Sequence, residues 1–296
     1  MHVFVTGATG FIGSAIVQDL LAAGHRVLGL ARSDAAAAAL TAAGAEVHRG
    51  ALDDPDSLRR GAADADGVIH TAFIHDFSAF AAHCETDRRA IAALGGALAG
   101  SARPLLVTSG TGLLSPGRLA TEDDDVPADS PVPRIASEQA VAALLAQGVA
   151  ASVVRLPPSV HGEGDHGFLS LLIATARQQG VSAWVGDGQN RWPAVHRLDA
   201  ARLYRLALER GVAGARYHGV AEEAVSLREI AVAIGRHLGL PATGIPSQAA
   251  AGHFGWFAHF AALDSPASGL RTQQALDWQP RQPGLLADLD GAAYFG

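Results

Sequence analysis

Residues His2–Thr6 form a short apolar run that leads directly into Gly7, Gly10 and Gly13, and these lead into Ser14–Leu21, whose apolar residues have helical spacing. No other stretch limits the possible folds as strongly. Gly7 permits a tight turn with positive φ, Gly10 allows backbone to come close to a ligand, and Gly13 allows close packing of helix on strand. The start of such a helix offers unpaired N–H groups and the positive end of its dipole, which suits the diphosphate of a dinucleotide. A bare glycine triad also occurs in turns of other α/β folds. The strand before it, the amphipathic helix after it and its place at the amino end favour the dinucleotide reading. The expected cradle is Gly7, Thr9, Gly10, Phe11, Ile12 and Gly13.

Downstream, apolar strand-like runs alternate with helical ones: Arg26–Arg32, 34–43, Ala45–Arg49, Asp56–Ala63, Gly67–Ala72, Phe77–Ala99, Pro104–Ser109, Arg134–Gln147 and Ala151–Leu156. That alternation predicts right-handed crossovers and a parallel sheet covered on both faces. Gly95 and Gly96 are expected to weaken the end of the fourth helix. Trp184–Gly188 and Trp192–His196 suggest short strands around a turn, and Ser226–Glu229 has capping-box form.

The spacing Gly7-x-x-Gly10-x-x-Gly13 behind Thr6 resembles the short-chain dehydrogenase/reductase superfamily, in its extended and atypical NAD-dependent epimerase/dehydratase-like branch. The resemblance covers essentially the whole chain. It implies an α/β fold, a Rossmann doubly wound parallel sheet with a smaller C-terminal substrate-binding lobe. Residues 1–160, with 195–221 returning, are expected to form the dinucleotide-binding core, and 161–194 and 222–296 the lobe. Phe254, Trp256, Phe257, Phe260 and Trp278 are assigned to that lobe, with packing favoured over ligand contact.

Composition narrows the partners. A chain of 296 residues with 49% hydrophobic content can bury a sizeable core. A net charge of −7 without any basic block argues against nucleic acid or a membrane surface. Cys84 is the only cysteine, so no intrachain disulfide forms. No cleavable leader and no membrane-length apolar run is evident, and a cytoplasmic address is expected. The run Thr121–Asp125, within a loop spanning Gly110–Pro133, reads as a solvated face near the site mouth. A homodimer packed through helices is expected only by analogy with relatives.

The second strand ends in Ala31-Arg32-Ser33, where an acidic residue would favour NAD. Arg32 can pair with a 2′-phosphate and Ser33 can donate to it, so NADP(H) is the preferred cofactor and NAD(H) remains possible. The alternative is that Arg32 only stacks on adenine. The resemblance further implies Leu52 and Asp53 beside adenine, and Thr71, Ala72 and Phe73 beneath the nicotinamide ribose. Thr108 and Ser109 would line that pocket, with Pro157, Ser159 and Val160 beside the carboxamide.

The resemblance breaks at the catalytic helix. Active relatives carry a Ser/Thr and a Tyr-x-x-x-Lys. Here Arg134 stands at the tyrosine register and Glu138 at the lysine register, and the serine position falls on Gly110 or Thr111. Tyr204, Tyr217 and Tyr294 all lie elsewhere. An arginine stays protonated, so it can polarise a carbonyl or hold a carboxylate but not act as the ordinary acid. Arg134 and Glu138 can also simply pair, four apart on one helix. The other proton-donor candidates are His75, His161 and His166, with His196 read as structural. No third ligand accompanies His161 and His166, so no metal is expected. Neither a nucleophile elbow nor a Walker lysine is present, which leaves hydrolase and NTPase chemistry without support.

Two functions fit. One is an NADPH-dependent reductase of a small or medium apolar carbonyl, imine or activated alkene, using a non-standard proton donor. The other is a catalytically silent NADP(H)-binding sensor or interaction protein.

Overall fold

The computed structural model of the chain describes residues 1–114, 117–291 and 294–295. Residues 115 and 116 of the expected loop Gly110–Pro133, and 292, 293 and 296 of the expected lobe, lie outside the described residues.

The first half alternates as expected: β1 His2–Thr6, α1 Phe11–Ala22, β2 Arg26–Ala31, α2 Asp34–Ala43, β3 Glu46–Arg49, α3 Pro55–Ala63, β4 Gly67–His70, α4 Phe80–Leu98, β5 Leu105–Gly110, α5 Ala136–Ala146 and β6 Ala151–Leu156. After β7 Ser159–His161 come α6 Phe168–Gln179, β8 Ser182–Val185, β9 Arg191–His196, α7 Arg197–Arg210 and β10 Arg216–His218. The chain continues through β11 Glu222–Ser226, α8 Leu227–Leu238, β12 Ala242–Ile245, α9 Ala250–Phe254, α10 Ala258–Ala261, α11 Leu270–Leu276 and α12 Leu285–Leu289.

Seven strands form a parallel sheet in the order β10-β6-β5-β4-β1-β2-β3. The winding direction reverses between β1 and β4, and the crevice at such a reversal is where this architecture binds ligands. Alternate residues of β1 serve opposite faces. Val3 and Val5 pack with Ile16 and Leu20 of α1 and Leu203 of α7. Phe4 packs with Leu58 of α3 and Leu94 of α4. Burying Phe4 completely contributes roughly 2 kcal/mol.

A β11-β9-β7 sheet and a β12-β8 pair make up the rest of the strand structure. They pack with α6, α8 and the aromatic tail around Leu169, Ile173, Trp192, Ile230 and Phe257. The capping box of α8 forms as expected, with Ser226 and Glu229 satisfying each other's backbone N–H groups.

Several expectations need correction. The two strands around residues 184–196 do not turn back on each other. β8 pairs in parallel with β12, and β9 pairs with β7 and β11. Gly95 does not fray α4. It sits where α4 meets α5, and a Cβ there would lie 2.3 Å from Leu144 Cδ1, so closeness rather than flexibility explains it. Trp278 packs in the cluster of α1 and α7, not in the lobe, and its indole N–H donates to Asp199 O at 3.0 Å.

The acidic run is not merely a solvated face either. Glu122 is buried and accepts from Thr272 N and Oγ1 at 2.8 and 2.7 Å. Asp123 pairs with Arg271, Asp124 with Arg118 and Asp125 with Arg216. Arg118 pairs within the loop, while Arg216, Arg271 and Thr272 from other elements fasten it to the body. Among the described residues, no helix is long and apolar enough to cross a membrane.

Candidate active site

The glycine run has the geometry the sequence implied. Gly7 adopts φ 69°, and a Cβ there would lie 2.7 Å from both Ala72 N and Thr71 Oγ1. A Cβ on Gly13 would lie 2.0 Å from Gly7 O. Gly10 caps α1 with no side-chain hydrogen bond, and the first turn carries no acid. The amides of Phe11, Ile12 and Gly13 find no acceptor among the described residues. This concave, uncapped helix start fits a dinucleotide diphosphate. The end of β4 is strapped to β1 beside it, with Thr71 Oγ1 donating to Thr6 O at 2.8 Å.

At the end of β2, Arg32 is exposed and makes no ion pair among the described residues, whereas Asp34 is held by Arg49 at 2.6 Å. Ser33 Oγ accepts from Ala36 N as the α2 cap, which leaves its own O–H available. Leu52 is half-buried against the core and Asp53 is exposed.

Arg134 and Glu138 do not pair with each other. A closer partner claims each. Arg134 Nη1 donates to Asp87 Oδ2 at 2.6 Å and to Ser137 Oγ, and Nη2 donates to Thr108 O at 3.0 Å. The guanidinium lies 4.2 Å from the centre of the Phe73 ring. Its Nε–H has no partner among the described residues. Asp87 is wholly buried on α4. It also accepts from Ser137 Oγ at 2.6 Å and from His70 Nε2 at 3.0 Å, while His70 Nδ1 meets Thr6 Oγ1 at 2.7 Å. Burial alone would raise the Asp87 pKa. The His70 and Ser137 hydrogen bonds and the Arg134 charge override it and hold Asp87 at about 2.

Glu138 forms a two-point pair with Arg155, at 2.9 and 2.7 Å, and accepts from Ser109 Oγ at 2.7 Å. Arg155 is fully buried and also donates to Asp124 O at 2.8 Å. Thr108 Oγ1 is engaged as well, donating to His70 O and meeting the Tyr204 hydroxyl.

His75 is exposed, with its ring centre 5.2 Å from that of Phe73 in an edge-to-face arrangement. The protein atoms crowding it desolvate the ring, and the charges of Arg134 and His166 add to the effect, so its pKa falls below the usual 6.5. Thr111 is buried, and its hydroxyl has no partner among the described residues. His161 is only 1% exposed and meets Asp288 through Nδ1 at 2.8 Å, which places its ring inside the packing of β7 against α12. His196 caps α7, accepting from Leu198 N. Pro157 and Ser159 are buried, and Val160 packs on the core. No group of three potential metal ligands occurs among the described residues.

Beyond Phe73 the crevice wall is aromatic. Phe80 lies 6.0 Å from Phe73, and Phe77 stacks on Trp256 at 4.6 Å. Phe77 precedes α4 and Trp256 precedes α10, so this stack joins the cofactor side to the tail.

A model of the NAD dependent epimerase/dehydratase family matches residues 3–220. The chain is a member of that family. The family and the relatives named as ketoreductase, dehydrogenase and epimerase indicate NAD(P)-dependent oxidoreductase or epimerase activity. An uncharacterized protein of Schizosaccharomyces pombe is 51% identical over 296 residues, covering 100% of both chains. A Stigmatella aurantiaca protein named as 4-hydroxy-2-methyl-3-oxo-4-farnesyl-3,4-dihydroquinoline-1-oxide ketoreductase is 30% identical over 86% of this chain and 80% of its own length. The dTDP-glucose 4,6-dehydratase DesIV of Streptomyces venezuelae, solved with NAD and TYD bound, matches with a TM-score of 0.79 at 21% identity, over 98% of this chain and 96% of that one. The last likeness is one of fold.

Sequence reasoning missed the groups that hold Arg134 and Glu138: His70, Asp87, Ser137 and Arg155. One signal was available. Asp87 falls on the same helical face as Cys84, Ile91 and Leu94, and a charge on a buried stripe requires a partner.

Proposed function

We propose that this family member is an NADPH-dependent reductase of a small or medium apolar carbonyl, imine or activated alkene. When bound, the reduced nicotinamide supplies a hydride. Arg134 polarises the accepting group. The observation that carries this reading is its setting: Asp87, Ser137 and Thr108 O fix the guanidinium, Phe73 covers one face, and Nε–H stays free to donate. A pre-fixed cation stabilises developing negative charge without reorganising. His75 supplies the proton, and the Thr111 hydroxyl supplies a further hydrogen bond.

Residues 1–160 with 195–221 hold the cofactor, and 161–194 with 222–296 wall the substrate. The aromatic rings around Phe77 and Trp256 support an apolar substrate, in keeping with the farnesylated substrate named for the Stigmatella relative. The unpaired Arg32 and the free Ser33 O–H support NADPH over NADH. The closed Glu138–Arg155 pair, where relatives carry a lysine, supports a second reading as a cofactor-binding protein without turnover.

Following NADPH absorbance with a panel of ketones, imines and enones tests the proposal. Turnover of at least one class that is lost in Arg134→Met is expected. Background rates with all three classes, alongside tight NADPH binding, would leave only the second reading.

A further inference from the structure

Arg134 reaches the crevice with its charge already met. Asp87 Oδ2 accepts from its Nη1 at 2.6 Å, Ser137 Oγ accepts from the same nitrogen, and Thr108 O accepts from Nη2 at 3.0 Å. Three of the five guanidinium N–H groups are thus engaged. The Arg134 side chain is 16% exposed and that of Asp87 is fully buried. Asp87 is itself held from the far side. His70 Nε2 donates to its Oδ1 at 3.0 Å, and His70 Nδ1 meets Thr6 Oγ1 at 2.7 Å. The carboxylate therefore stays behind the guanidinium when a ligand arrives in front of it.

The groups around this pair add no second cation at neutral pH. Cys84 and Tyr204 lie within the field of Arg134 and stay uncharged: burial pushes the thiol up to about 11 and raises the phenol above its ordinary 10. His75 is pushed below 6.5, chiefly by desolvation, and is mostly neutral. Glu138 is matched at two points by Arg155. The reacting end of the crevice is therefore electrically balanced. A carboxylate brought to the remaining Arg134 donors would be attracted by the guanidinium and repelled by Asp87 just behind it, and it would leave a net negative charge in a partly buried place. An uncharged carbonyl oxygen takes the same hydrogen bond without that repulsion. The charge it gains during reduction is discharged by protonation, whereas a carboxylate stays charged throughout.

We propose that Asp87 is a specificity-determining residue: by neutralising Arg134 from within, it makes the site select an uncharged carbonyl compound and reject the matching carboxylate. It acts through Arg134 and does not touch the substrate. This inference rests on the reading of Arg134 as the group that meets the substrate oxygen, and it does not require turnover.

Titration calorimetry at neutral pH, on the full chain saturated with NADPH, compares benzamide with benzoate, two ligands of one shape that differ in charge. The reduced nicotinamide is uncharged and reduces neither. The wild type is expected to bind benzamide tighter by about tenfold or more, the scale of a like charge held close in a partly buried site. Asp87→Asn keeps an acceptor for Arg134 and removes the charge. It is expected to shift the benzoate-to-benzamide affinity ratio toward benzoate by about tenfold or more. Asp87→Glu, which keeps the charge, should retain the wild-type order. Ser137→Ala, which removes a hydrogen bond from Arg134 but no charge, should affect both ligands alike. A merely structural role for Asp87 would weaken both ligands together and leave the ratio where it was. Melting temperatures check that each variant is folded, and if Asp87→Asn is not, the wild-type order decides. Benzoate bound as tightly as benzamide by the wild type, neither ligand bound by it, or an unmoved ratio in folded Asp87→Asn would overturn the assignment. A chain that reduces no ketone yet keeps the benzamide preference removes the reductase reading and leaves this one standing.

Discussion

Arg134, in the turn just before α5, and Asp87 of α4 are 47 residues apart and meet at 2.6 Å with the carboxylate wholly buried. Asp87 therefore does more than balance a charge. It fixes which edge of the guanidinium faces inward. Removing one partner of such a pair leaves the other charge buried and uncompensated. Asp87→Asn is expected to lower stability by about 3 kcal/mol, read from denaturant unfolding. It also makes stability less acid-sensitive. Asp87 sits at about 2 when folded, against 3.8 ordinarily, so its contribution is full above pH 4 and fades as pH falls toward 2. The variant's unfolding free energy should change less over that window than the wild type's.

Restoring the family's lysine should harm this chain. Glu138→Lys places a cation against Arg155, which is fully buried and already donates to Asp124 O. A loss of about 3 kcal/mol or more is expected, with a matching fall in melting temperature. A stable, folded Glu138→Lys protein would mean that the Glu138–Arg155 pair carries little of the local structure.

Activity should rise in mild acid. The His75 pKa is pushed below 6.5, so its acid form is scarce at neutral pH and accumulates as pH falls. With His75 as donor, kcat/KM should increase about tenfold per pH unit on the alkaline side of that pKa and level off below it. His75→Gln should flatten the profile.

Cofactor choice should turn on Arg32. Arg32→Ala is expected to weaken NADPH by roughly tenfold, as for loss of a charge-assisted contact, and to leave NADH nearly unchanged. Calorimetry with both cofactors reads the ratio directly. Equal losses would assign Arg32 to adenine stacking.

Trp256 is 55% exposed and stacks on Phe77 at 4.6 Å. Trp256→Ala should raise KM for apolar substrates about fivefold, in line with an aromatic contact worth about 1 kcal/mol. NADPH affinity should not move if Trp256 walls the substrate as proposed.

The glycine run, the strand–helix alternation and the α8 capping box were legible because each depends on neighbours within a few residues. The partners of Arg134 and Glu138 were not. In sequence their nearest opposite charges are each other, whereas in space Asp87 and Arg155 are nearer and buried. The same cause hid the loop at Thr121–Asp125. Adjacent like charges look solvated until Arg216, Arg271 and Thr272 arrive from other elements. The parallel pairing of β8 with β12 was illegible for a related reason. Nothing local records a partner that lies about sixty residues downstream.

The Arg134–Asp87 and Glu138–Arg155 ion pairs also bear on how this chain can change. Putting tyrosine at 134 alone leaves Asp87 with only His70 and Ser137, and putting lysine at 138 alone opposes Arg155. Each single step back toward the usual proton-donating pair passes through a less stable protein. Only coupled replacements, 134 with 87 and 138 with 155, keep the interior balanced, so the departure at 134 and 138 is anchored by buried partners on α4 and β6.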